Sequence, residues 1–188
     1  AFSYVLTNDI DCSETSNWDG GKGFDPLGIF TGEYFDGRNH TILNLFINRS
    51  DYEAVALFSE IGPQSSVKNT TLKGGSMSHA LGQGTSSSLL ASFVGSLLGE
   101  LINVHSTINL SANAMSLTGG IAGEVLGGEI QKSSFRGNIT VANTASILVG
   151  SIGGISGDLV NGYISDSYAS SIITATASNT SNFNCGGG

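Results

Sequence analysis

The sequence predicts an all-β chain wound as a right-handed parallel β-helix, a solenoid of about six irregular coils with an N-terminal cap. Three observations predict it. First, a short phrase recurs: two small residues, an aliphatic, any residue, then glycine. It reads Gly95-Ser96-Leu97-Leu98-Gly99, Gly119-Gly120-Ile121-Ala122-Gly123 and Gly153-Gly154-Ile155-Ser156-Gly157, with a worn first copy at Ala56-Leu57-Phe58-Ser59. Self-similarity at intervals of about 20–50 residues marks stacked-repeat architectures. Second, the runs after these phrases align on Val67, Leu101, Ile130 and Ile164, in steps of 34, 29 and 34 residues. Third, no segment sustains an apolar face at helical spacing, while short alternating runs bounded by Gly, Asn, Asp and Ser are many.

In chain order, residues 1–48 read as an N-terminal cap and first coil. They hold more than half of the fifteen aromatics, including the single Trp18. A solenoid needs such a cap, because an open end exposes core and unpaired strand edges. Residues 49–178 read as the solenoid coils, with unequal loops between strands held in register. Residues 179–188 read as a flexible Gly-rich tail. In most coils an Asn or Asp stands two residues after the aligned aliphatic (Asn69, Asn103, Asp166), which predicts a stacked polar ladder at a turn, bonded to backbone of the next coil.

Charge narrows the function. The net charge is −8 and charged residues make up only 12%. Ten of the fifteen acids lie in residues 1–60, and Gly74–Gly99, Gly137–Gly157 and Ser167–Gly188 carry no charged residue. No basic stripe is present to neutralise phosphates, which argues against nucleic acid. No run of 18 apolar residues occurs, so no helix is expected to span a membrane. An uncharged β-rich surface is kept from aggregating by sugars or by a neighbour. Asn-x-Ser/Thr sequons occur at Asn39, Asn48, Asn69, Asn109, Asn138 and Asn179. Their density and the low charge predict an extracellular, glycosylated chain.

The segment Tyr4–Gly62 carries the series F-D-G-R-N-H-T-I-L-N-L (Phe35–Leu45), followed by A-V-A-L-F-S-E-I-G. With the later G-G-I-A-G and G-G-I-S-G phrases, it resembles the GLUG-motif proteins, β-solenoid repeats of secreted and cell-surface proteins in archaea and bacteria. The resemblance runs from Tyr4 to about Ala175. Ala56 and Ser96 depart from the motif's glycines. It implies adhesion or surface structure and brings no catalytic residues.

The residues themselves mark no catalytic centre. His40, His79 and His105 lack partners at metal-ligand spacing. Gly20–Gly28 fits the calcium nonapeptide pattern once, but that site works in tandem copies, so no cofactor is expected and calcium is the minor alternative. Asp9 and Asp11 read as a turn network of the cap. Cys12 and Cys185 stand near opposite ends. They leave three states open: free thiols, a fold-back bond within one chain, or a link between subunits. The expected function is non-enzymatic: an extracellular or cell-surface structural subunit that assembles with copies of itself into a filament, sheath or surface layer. The alternative is an adhesin that binds surface carbohydrate through Trp18, Phe24, Tyr34 and Phe35.

Overall fold

Strand runs this short bury little surface alone. They become stable by stacking their inward residues coil upon coil, and the computed structural model shows that arrangement. It describes residues 2–80, 88–113, 117–143, 150–177 and 183–186. Every paired strand runs parallel to its neighbour, and the one antiparallel contact among the described residues is a single bridge between Gly23 and Ile47.

The chain visits four faces in a fixed order. Face I holds Ser3–Val5 with Ile10–Asp11, Tyr34–Asp36 with Thr41–Leu43, Ser66–Lys73, Glu100–Ser106, Glu129–Gln131 with Ser134–Phe135, and Tyr163–Ser165 with Tyr168–Ala169. Face II holds Phe46–Arg49, Ser76–Ala80, Asn109–Asn113, Ile139–Asn143 and Ile173–Ala177. Face III holds Ala54–Val55, Leu89–Leu90, Leu117–Gly119, Gly150–Gly153 and Phe183–Gly186. Face IV holds Leu27–Phe30, Phe58–Ile61, Val94–Leu97, Ala122–Leu126 and Ser156–Val160. The ladder on face III thus runs into the stretch read as a tail.

The solenoid has about five turns, one fewer than expected. The reason lies in the first coil. After Ile10–Asp11 the chain makes no strand on face II or III. It returns through a kinked 3₁₀ segment, Ser13–Gly21, in which Asp19 and Gly20 take left-handed φ values of 47° and 64°.

Parity along each strand separates core from surface. Ile47, Met77, Leu110 and Ile139 point inward on face II, and Val67, Leu101 and Ile130 on face I; all are buried. Each such side chain contributes roughly 1.5–3 kcal/mol of apolar burial.

The recurring phrase forms the corner between faces III and IV, but not in the register its letters suggest. Val94 pairs with Ala122 and Leu90 with Thr118, so the copy that stacks on Gly119–Gly123 is Ala91-Ser92-Phe93-Val94-Gly95. Gly95 is therefore the closing residue of its phrase, where the letters suggested an opening one. Leu57, Phe93, Ile121 and Ile155 form the inward column of this corner, all buried. The small positions are forced by packing: a Cβ on Gly120 would collide with the Phe135 ring and the Gly154 carbonyl.

Candidate functional site

Three constructions stand out: a clamped cap with an apolar mouth, a polar ladder on face I, and an uncharged face II.

The cap is held by Arg49. Parity turns this residue inward from Phe46–Arg49, and it is buried. Its guanidinium donates to Asp19 at 2.9 Å, to the Gly23 carbonyl at 3.3 Å and to the Phe24 carbonyl at 3.5 Å, and lies 3.7 Å from Asp25 and 3.8 Å from Asp51. Asp25 also accepts from the Tyr52 hydroxyl. The Gly20–Gly28 segment, which matched a calcium pattern, is thus fastened by a guanidinium, and the fixed cation beside Asp25 is arginine. Sequence reasoning passed over Arg49; the signal was a charged residue at an inward position of an alternating strand. Asp9 accepts from the Thr41 N–H at 2.9 Å and His40 at 3.2 Å, and these bonds, in that order, hold its carboxyl below the usual range. Asp11 is engaged by Ser13 and Asn44 in the same way.

Because the first coil lacks strands on faces II and III, the bore of the solenoid opens beneath the 3₁₀ segment. A cavity of about 310 Å³ is lined by Ile10, Cys12, Trp18, Phe24, Phe35 and neighbouring aliphatics. A second, of about 330 Å³, adjoins it at Leu27 and Phe35. Trp18, Phe24 and Phe35 therefore come together, with the Trp18 and Phe24 rings 6.3 Å apart. Tyr34 does not join them. It alternates with Phe35 to the outside of face I, where the Lys68 ammonium lies 4.6 Å from its ring centre.

The ladder on face I follows from backbone geometry. Asn69, Asn103, Lys132 and Asp166 stack at one break in the strands, with left-handed φ values of 52°, 55°, 52° and 50°. Asn and Asp tolerate this region better than other residues with a Cβ. The expected column forms, but in its bonded part Asn69 and Asn103 bond side chain to side chain, and among the described residues neither side chain bonds the next coil's backbone. Asn69 donates to Asp36 at 3.1 Å, Asn103 donates to Asn69 at 2.9 Å, and His105 Nε2 lies 3.1 Å from the Asn103 amide oxygen. A carboxylate only accepts, so Asp36 sets the sense of every bond after it. The His105 proton then sits on Nε2, and Nδ1 accepts from the Ser134 hydroxyl at 2.9 Å. A second column satisfies backbone where the strands break. The Ser133 hydroxyl accepts from the Val104 N–H at 3.2 Å, and the Ser167 hydroxyl from the Ser133 N–H at 3.0 Å.

Serine, histidine and amide in this order match a nucleophile, its base and an orienting group. Ser134 is nevertheless only 5% exposed, and the principal cavities lie at the cap and beside faces III and IV. The array is the end of a structural ladder.

The sequons fall into distinct environments. Asn39, Asn48, Asn109 and Asn138 are exposed. Asn69 is half-buried, with its amide nitrogen committed to Asp36 and its oxygen to Asn103. Asn179 lies outside the described residues. Cys12 is a half-buried free thiol whose pKa is pushed up by burial and then by the Asp11 charge, which lowers its reactivity. Its rung is the first on face I, whereas Cys185 pairs with Ile152 in the last strand of face III. About five ladder steps of roughly 4.8 Å separate their backbone positions.

The fold defines a parallel β-solenoid with a clamped cap. No protein-family model matches the chain. It is 34% identical over 148 residues to halomucin from Haloquadratum walsbyi, an alignment that covers 76% of this chain and 1% of that protein. The chain therefore spans about a hundredth of the length of this relative. Among solved structures it is similar to a candidate immunoglobulin A1 protease from Bacteroides ovatus, with a TM-score of 0.45 and 17% identity, over 98% of this chain and 76% of that one.

Proposed function

We propose that the chain is a non-catalytic structural module of a cell-surface or extracellular protein, and that its last rung stacks on the first rung of a second copy. The observation that carries the stacking is the surface of that last rung. Tyr163 is 70% and Ile172 69% exposed, and Leu159, Val160, Tyr168 and Ile173 are exposed beside them. The backbone edges of Ser156–Val160, Tyr163–Ser165 and Ile173–Ala177 border no further strand among the described residues. Parallel edges of this kind template strand addition. Head-to-tail addition does not close on itself, so it produces a filament. The similarity to halomucin and the resemblance to GLUG-motif proteins support a surface location.

Electron microscopy and sedimentation of the purified chain over a concentration series test this reading. Elongated multimers are expected, and Tyr163→Lys with Ile173→Lys should return them to monomers. A wild-type chain that stays monomeric at the highest concentration contradicts it. A disulfide between Cys12 of one copy and Cys185 of the next is no requirement of the stacking; it would show as a reductant-sensitive dimer on a denaturing gel.

The apolar mouth favours a second reading, an adhesin with its ligand at Trp18 and Phe24. Glycan binding lost in Trp18→Ala with the fold intact would support it over stacking alone.

A further inference from the structure

Face II presents an outer surface without charge. Its strands place Asn48, Ser78, Ser111, Thr140 and Thr174 in one outward column, in continuous register. A neighbouring column carries Ser76, Asn109 and then Asn138, whose backbone N–H donates to the Asn109 side-chain oxygen at 3.0 Å. Arg49 and His79, which lie in these strands, point inward and are buried.

Strand parity makes the sequons on this face distinctive. In an extended strand, residues i and i+2 share a side. In Asn109-Leu110-Ser111 and Asn138-Ile139-Thr140, the asparagine and the hydroxyl that completes the sequon both face solvent, while Leu110 and Ile139 are buried. Asn48-Arg49-Ser50 repeats the pattern with Arg49 as the buried middle residue. In all three asparagines the amide nitrogen, the atom that takes the sugar, makes no hydrogen bond to the described residues; Asn48 and Asn109 use only their oxygens, toward Ser78 and the Asn138 N–H. Asn69 is the opposite case. Its nitrogen donates to Asp36, its side chain is half-buried and its backbone is left-handed. A sugar on Asn69 would take one of the two hydrogens of the amide that joins Asp36 to the ladder, at a half-buried position.

We infer that face II is the glycan-bearing face of the solenoid, with N-linked sugar at Asn48, Asn109 and Asn138 and none at Asn69. This inference stands apart from the stacking of the ends. Sugars on face II would hydrate a surface that has no charge of its own and would leave the end rungs uncovered.

Glycopeptide mass spectrometry on the chain from its native source, and on the chain secreted from a host that modifies Asn-x-Ser/Thr, tests it. Peptides containing Asn48, Asn109 and Asn138 should carry hexose-containing mass that disappears in Asn48→Gln, Asn109→Gln and Asn138→Gln respectively. The Asn69 peptide should be unmodified in folded protein. Unmodified face II peptides in the native chain, or sugar on Asn69 in folded protein, would overturn the inference.

Discussion

Asn103 donates a 2.9 Å hydrogen bond from its side-chain amide to the side-chain oxygen of Asn69, 34 residues earlier, and both residues hold a left-handed backbone. One bond thus joins two coils at the point where their strands break. Asn103→Ala loses this bond and the His105 contact and strains the left-handed position, at a cost of about 2 kcal/mol. A double-mutant cycle with Asn69→Ala should show coupling of about 1 kcal/mol in denaturant unfolding. Strict additivity would mean that the bond contributes nothing.

Lys132 occupies the next step of that column, with a φ of 52° and a side chain poorly suited to it. Lys132→Asn should stabilise the chain by about 1 kcal/mol, because asparagine tolerates the left-handed region. A rise in Tm of about 2–4 °C is the expected reading for a chain of this size. A fall would show that the lysine has a role the ladder does not explain.

Arg49 fastens the cap through Asp19 and the carbonyls of Gly23 and Phe24. Arg49→Ala removes a buried side chain, leaves the buried Gly23 carbonyl without its donor and unties Asp19, and should cost about 3 kcal/mol. The loss should be local first: Trp18 fluorescence should shift toward that of a fully solvated indole before the strands melt. Simultaneous loss of Trp18 and sheet signals would make the cap part of the core unit.

Glycine at the corner phrase is required by space. Gly120→Ala drives a Cβ into the Gly154 carbonyl and the Phe135 ring and should cost about 3 kcal/mol. Gly28→Ala meets no atom within 4 Å and should stay within about 0.5 kcal/mol of wild type. Equal costs, measured by urea unfolding, would refute the corner packing.

His79 is buried, with Nε2 donating to the Tyr52 carbonyl at 2.7 Å and Nδ1 without a partner among the described residues. Burial holds its pKa below the usual histidine value, and His105 shifts the same way, chiefly through burial and then the Arg136 charge. The unfolded chain therefore takes up protons below about pH 6.5 that the folded chain refuses. The stability that His79 provides is complete above that pH and is lost as pH falls through it toward the folded-state pKa. Urea midpoints should drop between pH 7.5 and 5.5, and the drop should shrink in His79→Gln.

Much of the solenoid was legible in the sequence because its determinants are local. Val67, Leu101, Ile130 and Ile164 recur with turn residues at fixed offsets, and the structure stacks them in one column. The Asn69 and Asn103 pair was visible for the same reason. The register of the glycine phrase was not, because Gly95-Ser96-Leu97-Leu98-Gly99 has the right letters four residues late; the pairings of Leu90 with Thr118 and Val94 with Ala122 identify Ala91–Gly95 as the true copy. The Arg49 clamp was hidden because it depends on which side of Phe46–Arg49 meets the cap, a tertiary fact. The split of Tyr34 from Phe35 was within reach, since adjacent strand residues face opposite sides.

The stacking of one copy's last rung on another's first is tested most directly by amide hydrogen exchange followed over protein concentration. The backbone N–H groups of Ser156–Val160, Tyr163–Ser165 and Ile173–Ala177 form the exposed edge of the described ladder. Exchange there should slow as concentration rises, together with that of the opposite edge at Ser3–Val5 and Leu27–Phe30, while Leu101–Val104 in the interior stays unchanged. Edge exchange that remains fast and independent of concentration would contradict the assembly.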